Sequence, residues 1–416
     1  MKLNIMSPNR NFIIVMSLVV TNIYFSVMII IRLLFNINIK YDSFALFCTL
    51  LLMTSLLLII HNWIYNKVKL SIRNYIFILF IPLLISIAFL FENSGYPHQL
   101  SIFKAYLAFS LIPSFIGIYY SRNENEYNNS FKYWFLLMWF ISIISIIEIL
   151  IYFISPYSIY LMHRYQGISY TIAFTYSLNL YFILFNKKIK LYAFCKNKLY
   201  KYISIALIIL QVICLFIGGG RGAFIVVLFS TIILFYFSIK HKTINKKMLF
   251  LSVLCLFLII FFIIIMLNMD NKNIRGFSRV FSYITSTGID FTKTAGRDII
   301  YALVIEGIKE KPVFGHGIFG QFSYTKTGYP HNIFLEILLS GGILYFVIMM
   351  LILYYIIKKL FYLAKNDVNK CLILPLFSSA FIMILFSGTY LSNSLLWFLC
   401  SYVVCYKKNE ITSHKR

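Results

Sequence analysis

The feature that most constrains this chain is a succession of long apolar runs carrying few or no charges. Twelve can be read, at 11–35, 44–60, 75–91, 102–120, 133–153, 168–185, 203–217, 223–237, 248–267, 333–357, 371–386 and 390–406. A helix needs roughly 20 apolar residues to cross the hydrocarbon core of a bilayer. The runs are continuous, not alternating, which selects helices over a transmembrane β-barrel. Composition leads to the same solvent. The chain is 61% hydrophobic and 12% charged, whereas soluble domains carry roughly 45–50% apolar and about 25% charged residues. Lipid removes the conflict, because there each backbone satisfies its own polar groups in helices. The predicted fold class is an all-α polytopic membrane protein with about twelve transmembrane helices. The tightest spacings are between runs seven and eight and between eleven and twelve.

The net charge of +25 would mark nucleic-acid binding on a soluble protein. Its distribution points elsewhere. Alternate short connections hold Lys2 and Arg10; Lys67, Lys69 and Arg73; Arg122 and Lys132; six lysines at 187–201; Lys240, Lys242, Lys246 and Lys247; Lys358, Lys359, Lys365 and Lys370; and four basic residues from Lys407 on. Together these are 25 of the 38 basic residues, and the short connections opposite hold almost none. Lys and Arg in short loops stay in the cytoplasm. Both termini are therefore predicted to be cytoplasmic, which agrees with an even number of spans. The first run lacks a small-residue cleavage site and reads as a retained span. The seven cysteines lie mostly in apolar runs and form no CxxC pair, so neither a disulfide framework nor a metal site is signalled.

The chain then divides into spans one to nine (1–267), a large outer loop (268–332), and spans ten to twelve with a cytoplasmic tail (333–416). The loop is too long for a simple turn, and loops of this size usually have a function of their own or are disordered. It contains a predicted amphipathic helix over Arg297–Glu310: Ile300, Leu303, Val304 and Ile308 form one stripe, and Pro312 stops it.

Candidate chemistry gathers on the predicted outer face. Gly218-Gly219-Gly220-Arg221-Gly222 strips side chains from the backbone around one arginine, whose planar charged fork suits phosphate oxygens. The bland alternative is a snorkelling arginine at a turn. Arg297 opens the loop helix, where a cation is unfavourable unless an anion binds there. His331, just before span ten, can accept a proton near neutral pH. Its neighbour Asn332 is a plausible helix N-cap. Glu336, one turn into span ten, needs a partner, and a helix-packing ion pair fits it as well as catalysis does. Glu148, Arg32 and Lys104 invite the same structural reading. Arg164, in His163-Arg164-Tyr165-Gln166-Gly167, adds a further cation, while the glycines around His316 suggest a turn. Arg164, Arg221, Arg297 and His331 converge from four places and describe a cationic pocket for a phosphorylated ligand with one candidate base. No Walker loop or dinucleotide fingerprint is present.

These residues resemble the superfamily of O-antigen polymerases and O-antigen ligases of bacterial envelopes. The likeness covers about twelve spans with one long late periplasmic loop. It is strongest from Gly296-Arg297 through Pro312-Val313-Phe314-Gly315-His316-Gly317, His331-Asn332 and Glu336 to Gly341-Gly342. Gly220-Arg221-Gly222 resembles the family's other arginine motif, and Arg164-Tyr165-Gln166-Gly167 a third. After that third motif the family's usual Asn-Pro-Asn reads Ser169-Tyr170-Thr171.

The resemblance implies a C-type glycosyltransferase in the bacterial inner membrane that uses neither a cofactor, a metal nor a nucleotide-sugar. Its donor would be an oligosaccharide on undecaprenyl pyrophosphate, reaching the site sideways from the lipid bilayer. Arg221, Arg297 and Arg164 would bind the pyrophosphate and His331 would take the acceptor's proton, with Asn332 and Glu336 as support. A polymerase passes the glycan to another lipid-linked repeat unit and a ligase passes it to lipid A core. The composition, heavy in Ile, Asn, Lys and Tyr, suggests an A+T-rich gene and favours polymerase, with a chain-length regulator as a partner and no role for nucleic acid. A lipid-linked oligosaccharide flippase is the alternative of another class. A transporter would place its groups near the midplane at broken helices in repeated halves. No internal repeat is visible here.

Overall fold

A computed structural model describes residues 10–19, 41–91, 99–154, 165–243, 284–285, 288–289, 297–325 and 330–407. The ninth predicted span, most of the first, and Arg32, His163, Arg164 and Gly296 lie outside the described residues. The helices are α1 (Arg10–Val19), α2 (Tyr41–Tyr65), α3 (Ile72–Phe91), α4 (Gln99–Arg122), α5 (Glu124–Ile154), α6 (Tyr165–Phe185), α7 (Lys198–Gly218) and α8 (Arg221–Lys240). A two-residue antiparallel pair follows, β1 (Ile284–Thr285) with β2 (Gly288–Ile289). Then come α9 (Arg297–Glu310), α10 (Ile333–Asn366), α11 (Ile373–Phe386) and α12 (Ser394–Cys405). Among the described residues nine helices are long and apolar enough to cross a membrane, and α1 and α12 are shorter apolar helices. The chain is an all-α polytopic membrane protein. Ten of the twelve apolar runs coincide with a described helix, and the first is described only over 11–19.

Hydrogen bonds and ion pairs gather the basic connections on one face. Arg10 pairs with Glu126 at 2.5 Å, and Arg122 donates to the carbonyl of Lys69. Lys370 meets Glu124 at 3.0 Å and lies over the rings of Tyr127 and Tyr406. Lys188 donates to the His241 carbonyl, and the His241 ring bonds to the Ala364 carbonyl at 2.7 Å. Six of the seven basic segments are represented in these contacts, so among the described residues the basic connections read from Lys and Arg lie together.

The bundle is built around α6, which is buried over nearly its whole length between α5, α7, α8 and α11. Helices in lipid gain little from hiding apolar side chains from one another, so small residues and interhelical hydrogen bonds hold them together, at about 0.6 kcal/mol per bond. The interior follows that rule. Gln211 Nε2 donates to Ser142 Oγ at 2.9 Å and to Thr175 Oγ1 at 3.2 Å. Ser177 Oγ donates to Ser230 Oγ at 2.8 Å, and Asn179 Nδ2 donates to the Ser204 carbonyl at 3.1 Å. These bonds fix α6 against α7 and α8, and α7 against α5.

Span ten differs from the unbroken run expected at 333–357. Gly342 has φ 63° and ψ −166°, so α10 is two helices meeting at a break, and its second part runs on to Asn366. The loop after α9 fills the break. The His316 N–H donates to the Leu339 carbonyl (2.9 Å), and the Ile343 N–H to the Pro312 carbonyl (2.9 Å). Backbone groups freed by the break are thereby paired again, as they must be at membrane depth.

Candidate functional site

On the face opposite the basic connections, four segments meet around Phe386. The first is the glycine turn. Only Gly219 and Gly220 separate α7 from α8, and Arg221 is the first residue of α8. This turn lies directly against α6. A Cβ on Gly220 would stand 2.4 Å from Ser169 Cβ, and one on Gly222 would stand 1.9 Å from the Tyr170 hydroxyl. No side chain fits there, so the glycines set how closely Arg221 approaches the bundle.

The second segment is α9, which begins at Arg297 as the periodicity predicts. Arg297 Nη2 donates to the carbonyl of Phe386 at 2.8 Å. Phe386 closes α11, and the last carbonyls of a helix have no partner within it. Phe386 is also the residue that Gly222 faces, since a Cβ there would lie 3.3 Å from Phe386 Cβ. The starts of α8 and α9, each opened by an arginine, therefore share one neighbour.

The third is the turn before α10. His331 has φ 57°, the left-handed region that non-glycine residues seldom adopt, although histidine does so more than most. Strained backbone of this kind costs about 1–3 kcal/mol and concentrates at functional sites. Pro330 is buried on one side of it, and Asn332 caps α10 on the other by accepting the N–H groups of Phe334 (2.9 Å) and Leu335 (3.3 Å). The cap predicted at Asn332 is present. Burial, and then the nearby Arg297 guanidinium, push the His331 imidazole down to about 4. Its ring is therefore neutral at pH 7 and able to accept a proton.

The fourth is the connection between α11 and α12. Glu336 is fully buried and accepts hydrogen bonds from Gln321 Nε2 (3.2 Å) and the Thr389 hydroxyl. Ser340 Oγ donates to the other end of Gln321 at 3.0 Å. An ion pair was one expectation for Glu336. Among the described residues its partners are neutral donors instead, and they tie α10 to the loop after α9 and to the segment just beyond Phe386. His316 Nε2 lies 2.7 Å from the Gly307 carbonyl, so its ring secures that loop to α9, as its glycine-rich surroundings suggested.

Arg221, Arg297, His331, Asn332 and Glu336 thus lie within one connected region, whereas Arg164 is outside the described residues. Sequence reasoning missed Phe386, Thr389 and Gln321, and noted Ser169 and Tyr170 only as departures after the Arg164 motif. Phe386 contributes a backbone carbonyl, which leaves no mark on its residue type. Thr389 and Gln321 could have been sought by asking which donors would satisfy a buried Glu336.

No curated protein and no solved structure matches the chain. Residues 206–350 match the family model described as O-Antigen ligase, a range running from α7 through the first half of α10 and enclosing Arg221, Arg297, His331, Asn332 and Glu336. Over residues 206–350, about a third of its length, the chain is thus similar to the O-antigen ligase family, which supports the resemblance to the superfamily of O-antigen polymerases and ligases.

Proposed function

We propose that this protein is an O-antigen or related surface-polysaccharide polymerase of the bacterial inner membrane. It would transfer a glycan from undecaprenyl pyrophosphate onto another lipid-linked repeat unit at the periplasmic face. Both termini would be cytoplasmic, with a chain-length regulator as a partner protein. The observation that carries this reading is the meeting of two arginine-headed helix starts at Phe386, with His331 beside Arg297.

The chemistry follows from those groups. An acceptor hydroxyl attacks the anomeric carbon of the donor glycan. The new C–O bond forms as the bond to pyrophosphate breaks, and the lipid pyrophosphate leaves with the electron pair. Arg221 and Arg297, each at a helix start where free N–H groups also favour anions, would take up that negative charge. Neutral His331 would receive the hydroxyl proton. Asn332 would hold the turn that presents His331, and Glu336 would keep that turn in register with the Phe386–Thr389 segment. Arg164 would add a third contact to the pyrophosphate.

A second reading, ligation of the glycan to lipid A core, is favoured by the description of the matching family. The two share a donor and differ in acceptor. A strain deleted for this protein separates them on a lipopolysaccharide gel: core carrying one repeat unit is the polymerase outcome, and bare core is the ligase outcome. Repeat units stranded on the cytoplasmic leaflet would reject both in favour of a flippase.

A further inference from the structure

The loop after α9 belongs to the segment read from the sequence as a large outer loop. Its geometry at the α10 break gives the depth of its tip. From Ile343 to Ile357 the second part of α10 is an uninterrupted apolar run of 15 residues, followed by Lys358 and Lys359. Lys359 donates to the carbonyls of Val404 (3.2 Å) and Tyr406 (3.1 Å), which fixes this end at the basic face. Fifteen helical residues rise roughly 22 Å, while the hydrocarbon core is about 30 Å thick. Tilt would shorten the rise further. The hydrocarbon therefore extends past the break toward the site face by several ångströms.

Val313 and Phe314 sit at that level. The Leu344 N–H points to the Val313 carbonyl at 3.4 Å, and a Cβ on Gly342 would lie 2.3 Å from Val313 and 2.7 Å from the backbone nitrogen of Phe314. Phe314 is 77% exposed, the most exposed aromatic side chain around the break. Ile343, Leu344, Val347 and Ile348, which follow directly on the break, are all exposed along one side of α10 and face lipid in a spanning helix. The nearest charge along the chain is Lys311, whose long side chain can reach the headgroups.

We propose that Val313 and Phe314 form a wedge embedded in the hydrocarbon of the leaflet on the site face, covered by lipid acyl chains and continuous with the lipid-facing side of α10. The loop that carries α9, and with it Arg297, is then anchored in the bilayer at its tip.

The test is photocrosslinking of the full-length chain in native membrane vesicles. p-Benzoylphenylalanine replaces Phe314, with the same replacement at Ile348 as a lipid-facing reference and at Glu306, exposed on α9, as an aqueous one. Acyl-chain adducts on the peptide holding residue 314, as at 348 and not at 306, are the expected result. An absence of lipid adducts at 314, or adducts to another protein instead, overturns the proposal. A second measurement stands if the bulky analogue disturbs folding. Phe314→Cys in sealed vesicles should react with a membrane-impermeant maleimide at least about tenfold more slowly than Glu306→Cys, because hydrocarbon suppresses the thiolate, with the unsubstituted chain as background for its native cysteines. Equal rates would also overturn the proposal.

Discussion

Replacing Gly342 by alanine tests whether the break in α10 organises the site. The backbone there (φ 63°, ψ −166°) is a conformation open essentially to glycine alone, and forcing alanine into it costs about 1–3 kcal/mol. The new methyl would also stand 2.3 Å from both the carbonyl carbon and the oxygen of Val313. Relief requires the loop to retreat by roughly an ångström, which breaks the Ile343 to Pro312 bond and the weaker Leu344 to Val313 contact. Each lost backbone bond removes about 1 kcal/mol net, and up to about 3 where a group is left buried and unpaired. The loop should therefore be loosened by roughly 3–6 kcal/mol. If α10 instead straightens, the loop is expelled altogether. Hydrogen–deuterium exchange in nanodiscs reads either outcome as exchange at 312–316 and 339–344 accelerated by about 10²–10⁴-fold. The sugar-transfer ladder should vanish while the protein remains in the membrane. Gly167→Ala is the control, since a Cβ there meets nothing within 4 Å. Gly342→Ala with unchanged exchange and a normal ladder would refute the reasoning.

Arg221→Ala and Arg297→Ala should each lower transfer by about 10²–10³-fold, the usual effect of removing one preorganised charge-stabilising donor; normal chain-length ladders from both would sink the pyrophosphate assignment. His331→Ala should cost about 10²–10⁴-fold, and retained activity would reduce His331 to a structural turn residue. Because His331 is held neutral down to about pH 4, kcat/KM in proteoliposomes should stay level from pH 7 to about 5 and fall only as pH drops through about 4; a fall centred near 6.5 would contradict the burial of the ring. Glu336→Gln keeps an acceptor for Thr389 and should retain most activity, whereas Glu336→Ala leaves the Gln321 and Thr389 donors unpaired at about 1–3 kcal/mol each; equal losses in both variants would show that the carboxylate itself is needed.

Much of this arrangement was legible in the residues because it is local or statistical. The alternation of lysines is a sum over seven loops, and it reappears as the cluster joining Arg10, Arg122, Lys188 and Lys370 to their partners. The helix from Arg297 to Glu310 follows from its period and from Pro312, and the Asn332 cap from its side chain. The break at Gly342 was not legible, although Gly341-Gly342 was visible as a pair. Its cause is the backbone of Val313, about thirty residues away, and nothing in the run from Ile333 to Ile357 encodes that partner. The neutral partners of Glu336 were hidden for the same reason: Gln321 and Thr389 come from either side of α10 in sequence and meet only in the fold.

The position of Arg297 links the fold to the proposed chemistry. A cation at a helix start opposes the helix dipole, so α9 is less stable for having it there. The Phe386 carbonyl offsets this, because it belongs to the opposite end of another helix, where the dipole is negative. One of the guanidinium's five N–H donors is thereby fixed to a rigid helix end before any ligand arrives. The side-chain entropy that a free arginine would lose on binding a diphosphate is already lost in the resting protein. That is the condition under which charge stabilisation favours a transition state over a loosely held ground state. The same anchoring sets the Arg297 charge beside His331 and helps to keep that ring unprotonated. An arrangement unfavourable to α9 alone would therefore give the proposed site both a preorganised cation and a neutral proton acceptor.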